Sequence, residues 1–354
     1  MSLDETHYVP VLKMKGGEKE ALPLLTPAVR ARITPLFEIV ERDSEKKATA
    51  RDHIDTAFKK FQPAVAGLAR YFLDCREVES DGPEAAEEIF RRATDLGTAF
   101  VPVTGITRSV DVQAALANRT SGLAIRLTRA DFENGLVHDE LLPFVKTHDV
   151  QREVIDLILD LGAVDDMVLP GTQTLAAAFL DDVPDPTTWR SLILSATAIP
   201  PGMGGLESRS YDLVDRADWL SWRDRIRADS SFPRVPTYSD GVIQHPRGVE
   251  GIDWGKMTIS ASIRYTTDDQ WLRIKGVSTR AELPSDQLQA LATTLVHGHL
   301  STHFSGAAHC EGCFGMRCAA DGADNYGSLG VWRRLGTIHH ITRVIEQLDA
   351  LAAP

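Results

Sequence analysis

The sequence predicts an α/β protein: a (β/α)8 TIM-type barrel with a C-terminal β-hairpin and helix elaboration. Three observations carry this expectation. Eight short β-branched or aromatic runs recur over the first 245 residues, polar stretches with helical spacing separate them, and several runs are continuously apolar, as strands covered on both faces are. A doubly wound open sheet is the alternative. It takes second place because no Gly-rich phosphate-binding fingerprint follows the first strand.

In chain order, the strands are read at YVPVLKMK (Tyr8 to Lys15), TPLFEIV (Thr34 to Val40), YFLDC (Tyr71 to Cys75) and AFVPVTGI (Ala99 to Ile106). GLAIRL (Gly122 to Leu127), VIDLILDLG (Val154 to Gly162), SLILSATAIP (Ser191 to Pro200) and RVPTYSDGV (Arg234 to Val242) complete the eight. Helical stretches lie between them. In DGPEAAEEIFRRATDLG, Asp81 can cap, Pro83 suits a first turn and Gly97 can end the helix. Trp219 and Trp222 in WLSWRDRI have helical spacing and are expected in the core, as is the isolated Cys75.

Beyond residue 245 the pattern changes. MTISASIRYTTDDQWLRIKGV alternates on either side of Thr267 to Gln270 and reads as a hairpin. DQLQALATTLVHGHL reads as a helix, a Gly-rich stretch with cysteines runs from Ser305 to Gly330, and HHITRVIEQLDALA closes the chain as a helix. The expected division is a barrel over 1–245 and an elaboration over 246–354 that packs on it and helps to close one mouth.

Composition excludes several function classes. A chain of 354 residues with 43% hydrophobic and 25% charged content is long enough for a large core, and no apolar run reaches the roughly 18 residues of a membrane span. MSLDETHYVP lacks the basic and apolar regions of a signal peptide, so a cytoplasmic protein is expected. Four cysteines, three of them clustered, fit a reducing compartment. A formal net charge of -12 disfavours long nucleic acid and leaves a local basic cleft allowed.

In such a barrel the active groups belong at the C-terminal ends of the strands. Lys13, Glu38, Asp74, Arg126, Asp160 and Asp240 occupy those places. Charges inside apolar strands are costly unless paired, solvated or bound to a ligand, so the six are expected to converge on one mouth. Glu38, Asp74 and Asp160 have the oxygen ligands for Mg²⁺ or Mn²⁺, while Lys13, Arg126 and Asp240 would contact a small anionic or nucleotide-like substrate. Metal-free acid and base catalysis by the carboxylates, a Schiff base at Lys13, and a purely structural ion-pair network stay open. Ser195 lacks the elbow of a hydrolase nucleophile, PPGMGG (Pro200 to Gly205) reads as a loop over the mouth, and His7 and His53 are expected on the surface.

Two further motifs stand in the C-terminal part. HCEGCFGMRC places Cys310 and Cys313 at C-x₂-C spacing, with Cys318 as a third thiolate and His303, His309, His339 or His340 as a fourth ligand for an alternative zinc site. A second C-x₂-C is missing. His339 and His340, read just ahead of a helix, are expected to complete the catalytic site, with Arg333 and Arg334 near enough to contact a phosphate. Packing of Trp332 and Ile338, with the histidines as caps, is the simpler reading of the same segment.

YVPVLKMKGGEKEALPLL, RITPLFEIV and the closing FSG, CA and WRRLGTIHHIT resemble the bacterial and phage family named after the phage T4 beta protein. The resemblance runs from near one end of the chain to near the other, and its matching positions include Lys13, Glu38, Asp74, Arg126, Asp160, Trp332, His339 and His340, with Cys318 in a matching segment. Cys310 and Cys313 fall outside it. The resemblance implies a phage or phage-defence setting and no assigned reaction. The expected function is therefore an enzyme on a phosphorylated or nucleotide-type substrate, through metal-assisted phosphodiester hydrolysis, with a partner protein from a neighbouring gene as a further expectation. The alternative is a non-catalytic ligand- or partner-binding component of a defence or toxin pair.

Overall fold

The computed structural model describes residues 2–42, 48–246 and 260–353. Eight parallel strands close a barrel: β1 (Tyr8–Lys13), β2 (Leu36–Glu38), β3 (Tyr71–Asp74), β4 (Phe100–Thr104), β5 (Leu123–Thr128), β6 (Ile155–Ala163), β7 (Ser191–Thr197) and, after β8 (Ser210–Asp215), β9 (Thr237–Asp240), which pairs with both β7 and β1. Six of the eight barrel strands fall within the segments read from the sequence, β5 and β6 each run one residue past theirs, and closure excludes the open sheet.

Side chains alternate along a strand, so residues two apart share a face. Val9, Leu36, Phe72, Val101, Val103, Ala124, Ile158 and Ile193 point inward and pack together in the barrel interior. The intervening Tyr8, Phe37, Tyr71, Leu73, Ile125, Leu157 and Leu159 point outward into the main core beneath the helices. At the opposite end from the mouth, Asp156 is fully buried and paired with Arg190 at 2.6 Å and Arg70 at 3.7 Å, in the place where barrels keep stabilising residues.

β8 was not among the expected strands. It alternates half-buried and exposed residues and pairs with β11 (Gln270–Ser278), which pairs in turn with β10 (Ser260–Thr266) in an antiparallel sheet of order β10-β11-β8. The interval 1–245 thus gives one strand to the second layer. Helices Pro284–Val296 and Glu311–Ala320 cover that sheet around Tyr265, Leu272, Leu291, Met316 and Leu335. The first residues of the expected hairpin, 257–259, lie outside the described residues.

The terminal helix is longer than expected. It starts at Leu329, with Ser328 capping it through Val331 N–H, and runs to Ala352. His339 and His340 therefore lie mid-helix and not at an N-terminus. Ile338, Ile341, Val344, Ile345 and Leu348 join the barrel's outer core, so this helix fills the place of the helix that follows the eighth barrel strand. The hairpin and the cysteine segment are accordingly an insertion between β9 and its helix. Among the described residues no helix is long and apolar enough to cross a membrane.

Candidate functional site at the barrel mouth

Register places Lys13 beside Glu38 and Glu38 beside Asp74 on three successive strands. Each lies two residues beyond an inward apolar residue: Val11, Leu36 and Phe72. Arg126 and Asp160 follow Ala124 and Ile158 in the same way, so all five charges enter the barrel at its C-terminal end, where none is more than 6% exposed.

Arg126 is the hub. Its Nε donates to Asp160 at 2.9 Å, its Nη2 lies 2.7 Å from the same carboxylate, and its Nη1 donates to Asp74 at 2.8 Å and to Glu38. Lys13 Nζ lies 2.7 Å from Glu38. Arg108 donates to Asp74 at 2.6 Å and to Asp111 at 3.2 Å, and Arg76 reaches within 3.9 Å of Asp160. Four cations thus face four carboxylates in one network, all of it buried except Arg76.

This arrangement revises the expected metal role. The Arg126 guanidinium lies between Glu38, Asp74 and Asp160 and uses the oxygens that a Mg²⁺ or Mn²⁺ ion would need, so the three do not fit a divalent-cation site. Acid and base roles for Glu38 and Asp74 are also disfavoured. Burial alone would raise Glu38, but Lys13 and Arg126 overcome it and hold it down to about 2. Asp74 is likewise held well below the usual carboxylate range, because Arg108 and Arg126 outweigh its burial.

Several expected members lie elsewhere. On β9 the inward positions are Thr237 and Ser239, so Asp240 points outward. There it accepts from Tyr238 Oη at 2.8 Å and from Tyr8 Oη, and contacts His340 Nε2 at 3.0 Å. His340 also hydrogen-bonds Thr266 Oγ1 at 2.9 Å through Nδ1 and stacks on Trp271, which bolts the terminal helix to the barrel wall. Arg333 packs beside Gly17, where an added Cβ would come within 2.7 Å of the Gly330 carbonyl. His339 joins Cys310, Cys313 and His309, whereas Cys318 does not: five residues on from Cys313 it is turned about 140° around the helix, beside Tyr326. His7 is buried against Thr34 Oγ1 at 2.9 Å instead of exposed, and half-buried His53 donates from Nε2 to the Val40 carbonyl at 2.8 Å. Ser195 faces inward, 3.2 Å from Ser239 Oγ.

Two bays open on either side of Arg126. The narrower, about 20 Å³, is lined by Lys13, Glu38, Asp160, Thr197, Gln244 and His245; the wider, about 240 Å³, by Arg76, Glu79, Thr107, Arg108, Thr128 and Asp131. Among the described residues none from 260–353 lines either bay, whereas Pro246, at the start of the elaboration, lines the narrower one. The loop Pro200 to Gly205 is tied back to the second sheet, with Arg273 donating to the Gly202 carbonyl at 2.8 Å and Lys275 to the Met203 carbonyl at 3.0 Å. Sequence reasoning missed His245, whose Nε2 is 3.1 Å from Asp165 Oδ1, together with Arg76, Arg108 and Asp111. All belong to loops just after strands, which is the one signal that marked them.

The family model described as Beta protein matches residues 8–346. The chain belongs to the Beta protein family. That span takes in every barrel strand and most of the terminal helix, so the Beta protein match covers the charged mouth and the second layer together. No curated protein matches the chain.

Proposed function

We propose that the mouth is the active site of an enzyme that binds a small phosphorylated or nucleotide-type anion and acts on it without a metal held by Glu38, Asp74 and Asp160. The observation that carries this reading is the His245–Asp165 pair on the rim of a bay floored by Arg126 and Lys13. Barrel enzymes place their chemistry at this end, and the wider bay, about 240 Å³, approaches the size of a small-ligand pocket, whereas the narrower is a tight cleft. The carboxylates anchor and aim the cations. Arg76 and Arg108 on the wider side and Lys13 on the narrower side supply the positive field for the anion. In phosphodiester hydrolysis, His245 would take a proton from the attacking water as its oxygen bonds to phosphorus, and return a proton to the ester oxygen as that bond breaks. Use of this activity in conflict between phage and host is part of the proposal and rests on the family resemblance.

A second reading has its own support. Glu38 and Asp74, held ionised by their neighbouring cations, and the balance of charges suit a non-catalytic module that holds an anionic ligand or partner. One experiment separates the two. Thermal shift against inorganic phosphate, nucleoside mono-, di- and triphosphates and dinucleotides identifies a stabilising ligand, and its turnover is then followed with the parent and His245→Asn proteins. The enzyme reading expects turnover to fall by roughly 10²–10⁴-fold in the variant while the ligand still raises the melting point. Ligand binding with no turnover in the parent establishes the binding module, and no shift by any member of the panel removes both readings.

A further inference from the structure

We infer that His309, Cys310, Cys313 and His339 form a closed four-ligand zinc site that clamps the cysteine helix onto the terminal helix. One ligand atom from each of the four lies within 4.8 Å of the others. Cys313 Sγ is 3.3 Å and Cys310 Sγ 4.0 Å from His339 Nδ1. Tetrahedral zinc, with bonds of about 2.3 Å to sulfur and 2.0 Å to nitrogen, sets its ligand atoms roughly 3.3–3.8 Å apart, so a small contraction completes the geometry.

The surroundings point to a metal independently of that spacing. His339 Nε2 is 2.8 Å from the Thr266 carbonyl, which fixes the proton there and leaves Nδ1 as the lone-pair nitrogen facing the sulfurs. His309 is oriented in the same manner: its Nδ1 lies 3.3 Å from Glu346 Oε1. Its Nε2 is buried with no hydrogen-bond partner among the described residues, and the side chain is only 9% exposed. A buried imidazole nitrogen without a partner is costly, and a metal beside the thiolates is the partner this position offers. The Cys313 N–H donates to Cys310 Sγ at 3.3 Å, which favours thiolate at the first cysteine.

A redox dithiol is the competing use of C-x₂-C at a helix start. Cys313 is fully buried, and two imidazoles aimed at the sulfurs have no role in disulfide exchange but supply half of a zinc shell. With four protein ligands no position is open for substrate, so the site is structural. It joins the turn before helix Glu311–Ala320 to the middle of the terminal helix, one residue from the His340–Asp240 bolt.

The test uses the full chain purified without added metal, followed by elemental analysis, chelator treatment and refilling with Zn²⁺ or Co²⁺ alone. The expected result is about one zinc per chain, a lower melting point after chelation that Zn²⁺ restores, and visible absorption of tetrahedral, thiolate-bound cobalt. His309→Gln and Cys310→Ser are expected to abolish stoichiometric binding, Cys318→Ser to leave it unchanged, and Glu346→Gln to weaken it by roughly 10–100-fold. If Cys310→Ser fails to fold, the His309 and Glu346 variants decide. Stoichiometric iron or copper in place of zinc, loss of metal in Cys318→Ser, or a melting point indifferent to metal with a Cys310–Cys313 disulfide on mild oxidation each overturns the inference.

Discussion

Replacing Arg126 with methionine is expected to cost roughly 3–5 kcal/mol of stability, because it leaves Glu38, Asp74 and Asp160 buried without their shared counter-charge. The side chain is 4% exposed and hydrogen-bonds all three carboxylates. Lys13 and Arg108 still face Glu38 and Asp74 in the variant, but among the described residues the cation nearest Asp160 is then Arg76 at 3.9 Å. The measurement is urea unfolding, in which a fall in midpoint without a change in slope reports lost stability alone. A companion variant separates structure from function. Arg126→Met combined with Glu38→Gln, Asp74→Asn and Asp160→Asn removes the charges with their partner and should recover a large part of the loss, since neutral replacement of buried ion pairs is often tolerated. It should not recover binding of an anionic ligand. A loss below about 1 kcal/mol in the single variant would show that the guanidinium is not what sustains the network.

Why were five of the six strand-end charges legible and the sixth misplaced? Lys13, Glu38, Asp74, Arg126 and Asp160 each follow an inward apolar residue by two, so the strand period assigns them to the interior. On β9 the inward residues are Thr237 and Ser239, small polar groups with no hydropathy contrast, and Asp240 lies one step out of phase. A one-residue shift in a strand exchanges its faces. For the same reason a reading confined to local pattern could not foresee that Asp240 meets His340, a hundred residues away in the chain.

The cysteine segment was legible in part. The sequence named Cys310 and Cys313 with His303, His309, His339 or His340 as candidates beside them, but it also expected Cys318, which the helix turns away from the cluster, and it read the start of the terminal helix ten residues late. Loops gave the least warning of all. His245 and Asp165 are brought together by the barrel's closure, and neither carries a local pattern that separates it from ordinary surface polarity.

Stability should peak on the acid side of neutrality, because two sets of buried carboxylates pull in opposite directions. Glu38 has its folded value lowered from 4.5 to about 2. The unfolded state binds its proton first as pH falls, so this contribution is complete above about pH 4.5 and is lost as pH drops toward 2; the shift corresponds to about 3 kcal/mol. Asp74 acts with the same sign. Glu18 has the reverse sign: burial in the helix Gly16–Ala21 outweighs the nearby Arg333, Lys15 and Lys13 and raises it from 4.5 to about 7. Burial, reinforced by Asp240, raises Asp218 from 3.8 to about 6. In these two the folded state keeps a proton that the unfolded state releases, so stability declines as pH rises from about 4 through 7. Glu18→Gln keeps the shape and removes the ionisation. It should raise stability at pH 8 by up to about 3 kcal/mol and change little at pH 5, where the parent side chain is already neutral in the fold. Melting curves of both proteins at pH 3, 5 and 8 test the balance. Equal differences between parent and variant at pH 5 and 8 would mean that Glu18 is ionised in its buried position at both, and that Arg333 and the two lysines outweigh the cost of removing it from water.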